Sequence, residues 1–270
     1  MPADLHIHST VSDGELSPTE IVARASSLGL STIALTDHDT VDGIKEAYLA
    51  GEKYGIEVIA GVELSTDYQD SEVHILGYFI KPNQSLLCSK LEELRQHRHK
   101  RALEMVQKLQ FLGLDLNWSQ VKQHVQGDVI GRPHIARVMV DLGYVKSVSE
   151  AFALYLEKGR PAYVPRTKLS PKEAITLINQ SKGVAVMAHP GLFPKRYLGE
   201  LLNLGWQGIE VFHPEHDQVT ITNLQRVAKE YNLVPTGGSD FHGNSRKDRN
   251  LGTYVVSEEI VTELKARCLF

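Results

Sequence analysis

Short runs of apolar and β-branched residues alternate with helical segments along most of the chain. The alternation predicts strands at residues 4–8, 32–36, 57–65, 72–80, 184–188, 208–212, 233–237 and 252–256. Two helices have clear starts, because Ser17-Pro-Thr-Glu20 and Ser170-Pro-Lys-Glu173 each place Ser at the N-cap and Glu three residues later. Repeated β-then-α units favour a parallel sheet, since parallel strands need long crossover connections.

The number of predicted strands favours an α/β barrel, closed or nearly closed, over a small open sheet. A doubly wound sheet is the alternative, although no Gly-rich phosphate loop follows the first strand. Residues 90–169 interrupt the pattern, with predicted helices at 88–111, 118–126, 133–142 and 148–158 and no convincing strand. We therefore expect a barrel formed by residues 1–89 and 170–270, with residues 90–169 as a helical insertion.

The composition is that of a folded globular protein. Of the 270 residues, 42% are hydrophobic and 23% are charged, so a sizeable core is possible and global disorder is not expected. No apolar run approaches the ~18 residues of a membrane helix, and the first residues lack the pattern of a signal peptide. Cys88 and Cys268 offer neither a disulfide framework nor a thiolate metal site. We expect a cytoplasmic protein with no membrane association and no obligate protein partner.

The net charge of −4 argues against broad coating of nucleic acid, but the charge is unevenly distributed. Residues 91–170 contain 13 Lys and Arg against 8 Asp and Glu, a balance of +5, whereas the remainder contains 16 against 25, a balance of −9. A basic segment within an acidic chain is typical of anion binding. A helical segment with solvated charges gives the same pattern, so the charge alone does not separate the two.

The placement of the 12 histidines is more informative than their number. His6 and His8 lie two residues apart, which puts both imidazoles on the same face of the first strand. Further polar residues lie in or directly after the other strands: Asp13, Asp37-His38-Asp39, Glu63, His74, His189, Asp240 and His242. Since the active sites of parallel α/β barrels form at the carboxyl ends of the strands, we expect these residues to converge.

A convergent set of histidines and carboxylates predicts a metal centre. Burying polar groups without partners costs roughly 2–7 kcal/mol each, and divalent ions relieve that cost. Neutral imidazole and ionised carboxylate suit Zn, Mn or Fe. Taken singly, each motif has an ordinary structural explanation, such as a helix N-cap at Asp37-His38-Asp39 or a strand terminator at His189-Pro190. Their recurrence at successive strand ends favours metal binding.

Together these motifs resemble those of the polymerase and histidinol phosphatase (PHP) family. The segments Asp4-Leu-His-Ile-His-Ser9, Thr36-Asp-His-Asp39 and Gly238-Ser-Asp-Phe-His-Gly243 are spelled as in that family, and all nine ligand positions are filled. The resemblance covers residues 3–80 and 170–256. It implies a distorted (β/α)7 TIM-like barrel, here with a helical insertion, and a metal-dependent phosphoesterase with two to three divalent ions (Mn, Fe or Zn).

The resemblance also implies how the ligands divide among the ions. One ion would be held by His6, His8, Glu63 and Asp240; Glu63 would bridge to a second ion held by His74 and His189; and a third would be held by Asp13, His38 and His242. A carboxylate can bridge because it has two acceptor oxygens. His213 and His216 follow the strand at 208–212. Two roles stay open for them: support of the metal ligands, or contact with the substrate.

Within the family, Gly131-Arg-Pro-His-Ile-Ala-Arg137 and Lys158-Gly-Arg-Pro-Ala-Tyr-Val-Pro165 resemble the members that act on nucleoside 3′,5′-bisphosphates and degrade short 5′-phosphorylated RNA. With Pro133 as the first helical residue, Arg132 and the free amides of the first turn would form an anion site. Arg132, His134 and Arg137 are therefore candidate phosphate ligands. Alternatively, the two arginines lie at the surface and His134 packs under the insertion.

The expected reaction is hydrolysis of the 3′-phosphate of adenosine 3′,5′-bisphosphate to AMP, with short 5′-phosphorylated RNA degraded in the 5′-to-3′ direction. Metal coordination lowers the pKa of bound water from 15.7 to roughly 7, so no side-chain nucleophile is required. His189 and Asp240 are the candidates for protonating the leaving 3′ oxygen.

Three alternatives stay open at this point. A histidinol-phosphate phosphatase shares the barrel and the metals but has no need of the insertion. A proofreading module is expected to continue into a polymerase domain. A non-catalytic metal-binding protein has no need of all nine ligands.

Overall fold

One sheet of eight strands forms the centre of the described molecule. The computed structural model describes residues 2–125, 127, 129–165, 169–243 and 249–268. Among these residues the strands are β1 (Pro2–Ile7), β2 (Thr32–Leu35), β3 (Glu57–Tyr68), β4 (Ser71–Tyr78), β5 (Val184–Met187), β6 (Gly208–Phe212), β7 (Val234–Gly237) and β8 (Val256–Ser257). Seven predicted strands are confirmed. The eighth is wrong over residues 252–255, since β8 begins only at Val256.

Helices follow most of the strands. They are α1 (Pro18–Ser27), α2 (Ile44–Tyr54), α3 (Ser85–Phe111), α4 (Trp118–Gln123), α5 (Arg132–Asp141), α6 (Val148–Ala151), α7 (Pro171–Gln180), α8 (Leu198–Leu201), α9 (Gln218–Glu230) and α10 (Glu258–Ala266). Both predicted capping boxes are confirmed, at Ser17 with Glu20 and at Ser170 with Glu173. No helix in the described part of the chain has the length and apolarity needed to cross a bilayer.

The sheet runs in the order β7-β6-β5-β4-β3-β2-β1-β8 and is nearly closed. The ends of β7 and β1 approach each other: Ile7 forms a parallel bridge with Phe241, and the His8 amide donates to the Phe241 carbonyl at 2.9 Å. This arrangement confirms the α/β, TIM-like barrel class.

The sheet is not wholly parallel, and this corrects the prediction from the β-then-α pattern. β1 to β3 are parallel, as are β5 to β7, but β4 is antiparallel to both β3 and β5. Only Gln69 and Asp70 join β3 to β4, and a turn this short can connect antiparallel strands but not parallel ones. β8 is also antiparallel to its neighbour β1.

The strands are buried on both faces, as in barrels with an outer layer of helices. Ile75 and Met187 belong to a large apolar cluster that includes residues of α1, α2 and α7. The alternate residues Leu76 and Val186 belong to a second cluster on the other face. Because side chains alternate along a strand, this division fixes which residues point into the barrel.

The segment predicted as an insertion has an apolar cluster of its own, formed by buried residues between positions 102 and 164. α3 contributes to two clusters: Leu87 and Leu94 pack with the barrel, whereas Ala102 and Leu109 pack with the insertion. The first part of α3 therefore packs with the barrel and the second part with the insertion. The predicted boundary of the insertion at residue 90 stays a prediction.

Candidate metal centre

The nine predicted ligands lie together at the carboxyl end of the parallel strands. Four of them follow a parallel strand within three residues: His8 after β1, His38 after β2, His189 after β5 and Asp240 after β7. Strand ends converge at one mouth of a barrel, so residues distant in sequence become neighbours there.

His74 reaches the same mouth by a different route. It lies in the middle of β4, not at its end. Because β4 runs antiparallel to β3, its first residues lie beside the last residues of β3, and His74 pairs with Ser65. The hairpin therefore brings His74 next to Glu63.

Glu63 is the centre of the cluster. Its side chain is 1% exposed, and its two oxygens approach the rings of five histidines. The distances are 2.8 Å to His74 Nδ1, 3.1 Å to His38 Nδ1 and His189 Nε2, 3.2 Å to His8 Nε2 and 3.4 Å to His6 Nε2. One carboxylate therefore contacts ligands from all three predicted groups.

Two further carboxylates extend the cluster. Asp240 Oδ1 lies 3.2 Å from His8 Nε2 and 3.5 Å from His6 Nε2. Asp13 Oδ1 lies 3.4 Å from His242 Nε2 and 3.9 Å from His8 Nδ1. These neighbours are compatible with separate ions on the two sides of His8.

His38 lies between two groups. Two sets of candidate donor atoms, each within 4.8 Å of one another, include it: His8 with Asp13, His38 and His242, and His38 with Glu63 and His74. The assignment of each ligand to one ion therefore stays a prediction.

Several buried ring nitrogens have no hydrogen-bond partner among the described residues. They are Nε2 of His6, both ring nitrogens of His8, Nδ1 of His38 and Nε2 of His213. Buried polar atoms without partners are costly and uncommon. Imidazole nitrogens and carboxylate oxygens in contact, once deprotonated, form the donor set of a divalent ion. The residues present therefore fit the metal that the sequence predicted.

Two carboxylates of the site, Glu63 and Asp13, are held in their ionised form. Burial raises the pKa of Glu63 and of Asp13, but nearby histidines outweigh burial and hold both pKa values well below their usual range. Burial lowers the pKa of His6, but Glu210 and Glu63 outweigh it and raise this pKa to about 10. In the same way the Glu63 carboxylate raises the pKa of His74 to about 9.

Metal binding is therefore expected to release protons. With pKa values of about 10 and about 9, His6 and His74 carry an extra proton at pH 7 in the metal-free protein, and an ion must displace it. Metal affinity should rise as pH increases from 6 to 8, since fewer protons compete. Titration calorimetry in buffers of different ionisation enthalpy measures the release. An enthalpy independent of buffer would contradict this expectation.

Backbone strain marks three residues of the site. Asp39, His189 and Asp240 have φ values of 50°, 28° and 47°, in a region that non-glycine residues rarely occupy. Asp39 is held by Arg98, whose Nε donates to Oδ2 at 2.6 Å, and by the Ser65 amide, which donates to Oδ1 at 3.0 Å. Positive φ is not confined to the site, since Gln69, Phe79, Lys182 and Asn232 share it, but these three strained residues are or adjoin predicted ligands.

Glu210 was missed by the sequence reasoning. It is fully buried in β6, where its Oε1 lies 2.9 Å from His6 Nδ1 and its Oε2 accepts the His189 amide at 2.8 Å. The alternation of side chains along β6 could have identified it. Ile209 and Val211 pack toward the helices, so Glu210 between them must point into the barrel.

Neither of the two histidines that follow β6 lines the cavity, although donor atoms of His213, His6 and Glu210 lie within 4.8 Å of one another. His213 is fully buried, and its Nε2 lies 3.4 Å from Asp240 Oδ2. His216 accepts the Gly191 amide at its Nε2, at 3.1 Å. Arg249, which the sequence reasoning also missed, pairs with Asp240 and lines the cavity.

The predicted anion site begins one residue earlier than expected. Gly131 is the N-cap of α5, and Arg132 is the first helical residue, so Pro133 occupies the second position and not the first.

Only one of the three predicted phosphate ligands faces the cavity. His134 is 2% exposed, and its Nδ1 accepts the Gly131 amide at 3.0 Å. Arg137 donates to the Asp13 carbonyl at 2.9 Å. His134 and Arg137 therefore hold the helix start and the Asp13 loop, whereas Arg132 lines the cavity.

The cavity over the cluster has a volume of about 240 Å³ and mixed walls. Several predicted ligands line it, among them Glu63, His74 and Asp240, together with Arg98, Arg101, Arg132 and Phe152 from the predicted insertion. Arg132 lies over the Phe152 ring, 5.4 Å from its centroid, and donates to Glu72 at 3.3 Å. The cavity therefore brings positive charge and the predicted ligands into one space, as a phosphoester substrate requires.

Comparisons with known proteins agree with this chemistry. A family described as the PHP domain matches residues 4–125. The chain is 37% identical over 245 residues to a protein from Haemophilus influenzae named 5′-3′ exoribonuclease, covering 88% of this chain and 89% of the relative. It is 34% identical over 277 residues to a 3′,5′-nucleoside bisphosphate phosphatase from Chromobacterium violaceum, covering 98% of this chain and 97% of the relative.

The fold is also similar to a solved structure. A metal-dependent phosphoesterase from Bifidobacterium adolescentis superposes with a TM-score of 0.92 at 31% identity, covering 99% of this chain and 96% of the other.

Proposed function

The chain belongs to the PHP family, and on that premise we propose that it removes the 3′-phosphate of nucleoside 3′,5′-bisphosphates and degrades short 5′-phosphorylated RNA from the 5′ end. The protein is a metal-dependent phosphoesterase. The observation that supports the narrower substrate is Arg132, which lines the same cavity as residues of the histidine and carboxylate cluster.

We assign two to three divalent ions, Mn, Fe or Zn, to the cluster. The first would be held by His6, His8, Glu63 and Asp240, the second by Glu63, His74 and His189, and the third by Asp13, His38 and His242. When bound, such ions polarise a phosphoryl group and lower the pKa of water. The buried ring nitrogens without partners support this assignment.

Arg132 is proposed to bind the 5′-phosphate of the substrate. Its pair with Glu72 spans 3.3 Å, and the two side chains are 22% and 40% exposed. Such a partly exposed pair contributes little free energy, so a phosphate can replace the carboxylate. The cavity then holds a 5′-phosphate at one wall and a 3′ phosphoester at the other, which both proposed substrates present. His134 and Arg137 would act indirectly, by holding the helix that carries Arg132.

Hydrolysis breaks the bond between phosphorus and the ribose 3′ oxygen, and that oxygen must take up a proton. His189 and Asp240 both line the cavity, and we assign the delivery of this proton to one of them. The phosphorus gains the oxygen of water, so the products are a nucleoside 5′-phosphate and inorganic phosphate.

Residues 90–169 are proposed to cap a barrel formed by residues 1–89 and 170–270. Support comes from its separate apolar cluster and from the seven residues of that segment that line the cavity: Arg98, Arg101, Val129, Gly131, Arg132, Pro133 and Phe152. The cap would supply the substrate contacts that the barrel lacks.

Product analysis tests the proposal directly. The protein is loaded with Mn²⁺ and incubated with adenosine 3′,5′-bisphosphate, and a chelated sample serves as the control. AMP and free phosphate in the loaded sample alone are the expected result. No turnover, together with turnover of histidinol phosphate, would contradict the proposed substrate and leave the phosphoesterase in place.

Arg132→Ala is expected to weaken the binding of substrates that carry a 5′-phosphate and of no others. Hydrogen bonds to charged groups contribute about 1.5–3 kcal/mol, so KM for adenosine 3′,5′-bisphosphate should rise roughly 10- to 100-fold. KM for adenosine 3′-monophosphate, which lacks the 5′-phosphate, should change little. Arg226→Ala is the matched control, because Arg226 is 72% exposed on α9. Equal increases in KM for both substrates would contradict the proposed contact between Arg132 and the 5′-phosphate.

A further inference from the structure

Glu210 is a buried carboxylate that lies behind the metal centre. It is 0% exposed, and it does not line the cavity. Each of its oxygens contacts a different ligand residue: Oε1 lies 2.9 Å from the His6 ring, and Oε2 accepts the His189 amide at 2.8 Å. One side chain therefore supports two ligands by two kinds of contact.

The contact with His6 determines where that ring carries its hydrogen. A carboxylate accepts hydrogen bonds and does not donate them, so Nδ1 of His6 must be the donor. Nε2 of the neutral ring then has a free lone pair. This atom lies 3.4 Å from Glu63 and 3.5 Å from Asp240 and has no hydrogen-bond partner among the described residues. Glu210 thus directs the lone pair of His6 at the ligand cluster.

The contact with His189 fixes a strained backbone. His189 has a φ of 28°, which needs support from its surroundings. Glu210 holds its amide, and the Gly191 amide donates to His216 Nε2 at 3.1 Å. His216 in turn donates from Nδ1 to the Val211 carbonyl at 2.9 Å. Residues of β6 and the loop after it therefore hold the turn that carries His189 on both sides.

We propose that Glu210 is a positioning residue for two metal ions at once, through the ring of His6 and the backbone of His189. The inference rests on the proposed function, since it takes these two histidines as ligands of different ions. It extends that function by naming one side chain on which the occupancy of both sites depends.

Glu210→Gln tests this role because glutamine keeps the shape but replaces one acceptor by a donor. If the new NH2 group faces His6, the neutral ring must accept at Nδ1 and carry its hydrogen on Nε2, which then cannot bind a metal. If the NH2 group faces His189, two donors meet and the strained turn is displaced. Either orientation impairs one of the two ligands.

The experiment compares the affinity for Mn²⁺ and the kinetics of the full chain and its variants. In Glu210→Gln the affinity measured by equilibrium dialysis and elemental analysis should fall about 10- to 100-fold, as for other residues that orient metal ligands. At limiting Mn²⁺, kcat for adenosine 3′,5′-bisphosphate should fall with the occupancy, whereas KM should stay near the wild-type value. Glu52→Gln is the control, because Glu52 is exposed on α2; it should match the wild type.

A measurement on the unaltered protein covers the case in which Glu210→Gln does not fold. The protein is labelled with ¹⁵N-histidine, loaded with Zn and measured by NMR. The His6 signals are assigned by their loss in His6→Asn. They should show hydrogen on Nδ1 and none on Nε2. Hydrogen on Nε2, or wild-type Mn²⁺ affinity in a folded Glu210→Gln, overturns the role of Glu210 and leaves the phosphatase standing. A wild-type protein that binds no Mn²⁺ counts against the proposed function instead.

Discussion

Replacing Glu63 with glutamine is expected to lower kcat by about a thousandfold and to reduce the bound metal sharply. Glu63 contacts five histidines within 3.4 Å from a position that is 1% exposed. Glutamine has no negative charge and offers one acceptor in place of two, so it would neither balance the charge of the proposed ions nor offer an oxygen to each of two. A loss of ~4 kcal/mol of transition-state stabilisation, within the range for metal ions, gives a rate effect of that size.

The matched control for Glu63 lies in the same strand. Glu57 is exposed at the start of β3, and its distance of 3.9 Å from Lys265 makes a weak surface pair. Glu57→Gln should keep wild-type activity and metal content. A Glu63→Gln variant that retains full metal and rate would show that the cluster is not the metal centre. Elemental analysis and steady-state kinetics with adenosine 3′,5′-bisphosphate supply both measurements.

Gly238→Ala is expected to reduce both stability and activity. A methyl group at this position would meet the His6 backbone nitrogen and Cβ at 2.4 Å, and the backbone of β1 cannot move aside. Overpacking of this kind costs about 1–3 kcal/mol, which corresponds to a Tm lower by roughly 2–10 °C for a chain of this size. Because His6 and Asp240 flank the clash, a displacement of about 1 Å would cost on the order of a hundredfold in rate.

Gly199 provides the control for this substitution. It lies exposed in α8, and a methyl group there would meet nothing within 4 Å. Gly199→Ala should leave the rate unchanged and Tm equal or slightly higher, since Ala is the better helix former. Thermal unfolding followed by circular dichroism, with the same activity assay, separates the two variants. A Gly238→Ala protein with wild-type Tm and rate would contradict the close packing against β1.

The convergence of the ligands could be predicted from sequence because it depends on local rules. Two-residue alternation places His6 and His8 on one face, and strand ends meet at one mouth of a barrel. The direction of β4 could also have been predicted. Only six residues separate the predicted strands 57–65 and 72–80, too few for a parallel crossover. The prediction of a parallel sheet assumed uniform βα repeats and did not take this short connection into account.

The supporting residues could not be predicted in the same way, because their partners come from distant parts of the chain. Arg98 reaches Asp39 from α3, and Glu210 reaches His6 from β6 across 204 positions. Nothing in the local pattern around Arg98 distinguishes it from the other basic residues of the same helix. The motif at residues 131–137 has the same limitation. Its sequence alone did not decide whether His134 binds phosphate or is buried.

The proposed ligands come from residue 6 through residue 242, so bound ions would join β1 to the segment after β7 as internal cross-links. Whatever binds only the folded state adds to the free energy of unfolding by mass action, about 2.7 kcal/mol per site at a hundred times the dissociation constant. A cell short of metal would then contain a protein that opens more often and is cut more readily by proteases. Metal supply would set the abundance of this enzyme as well as its rate.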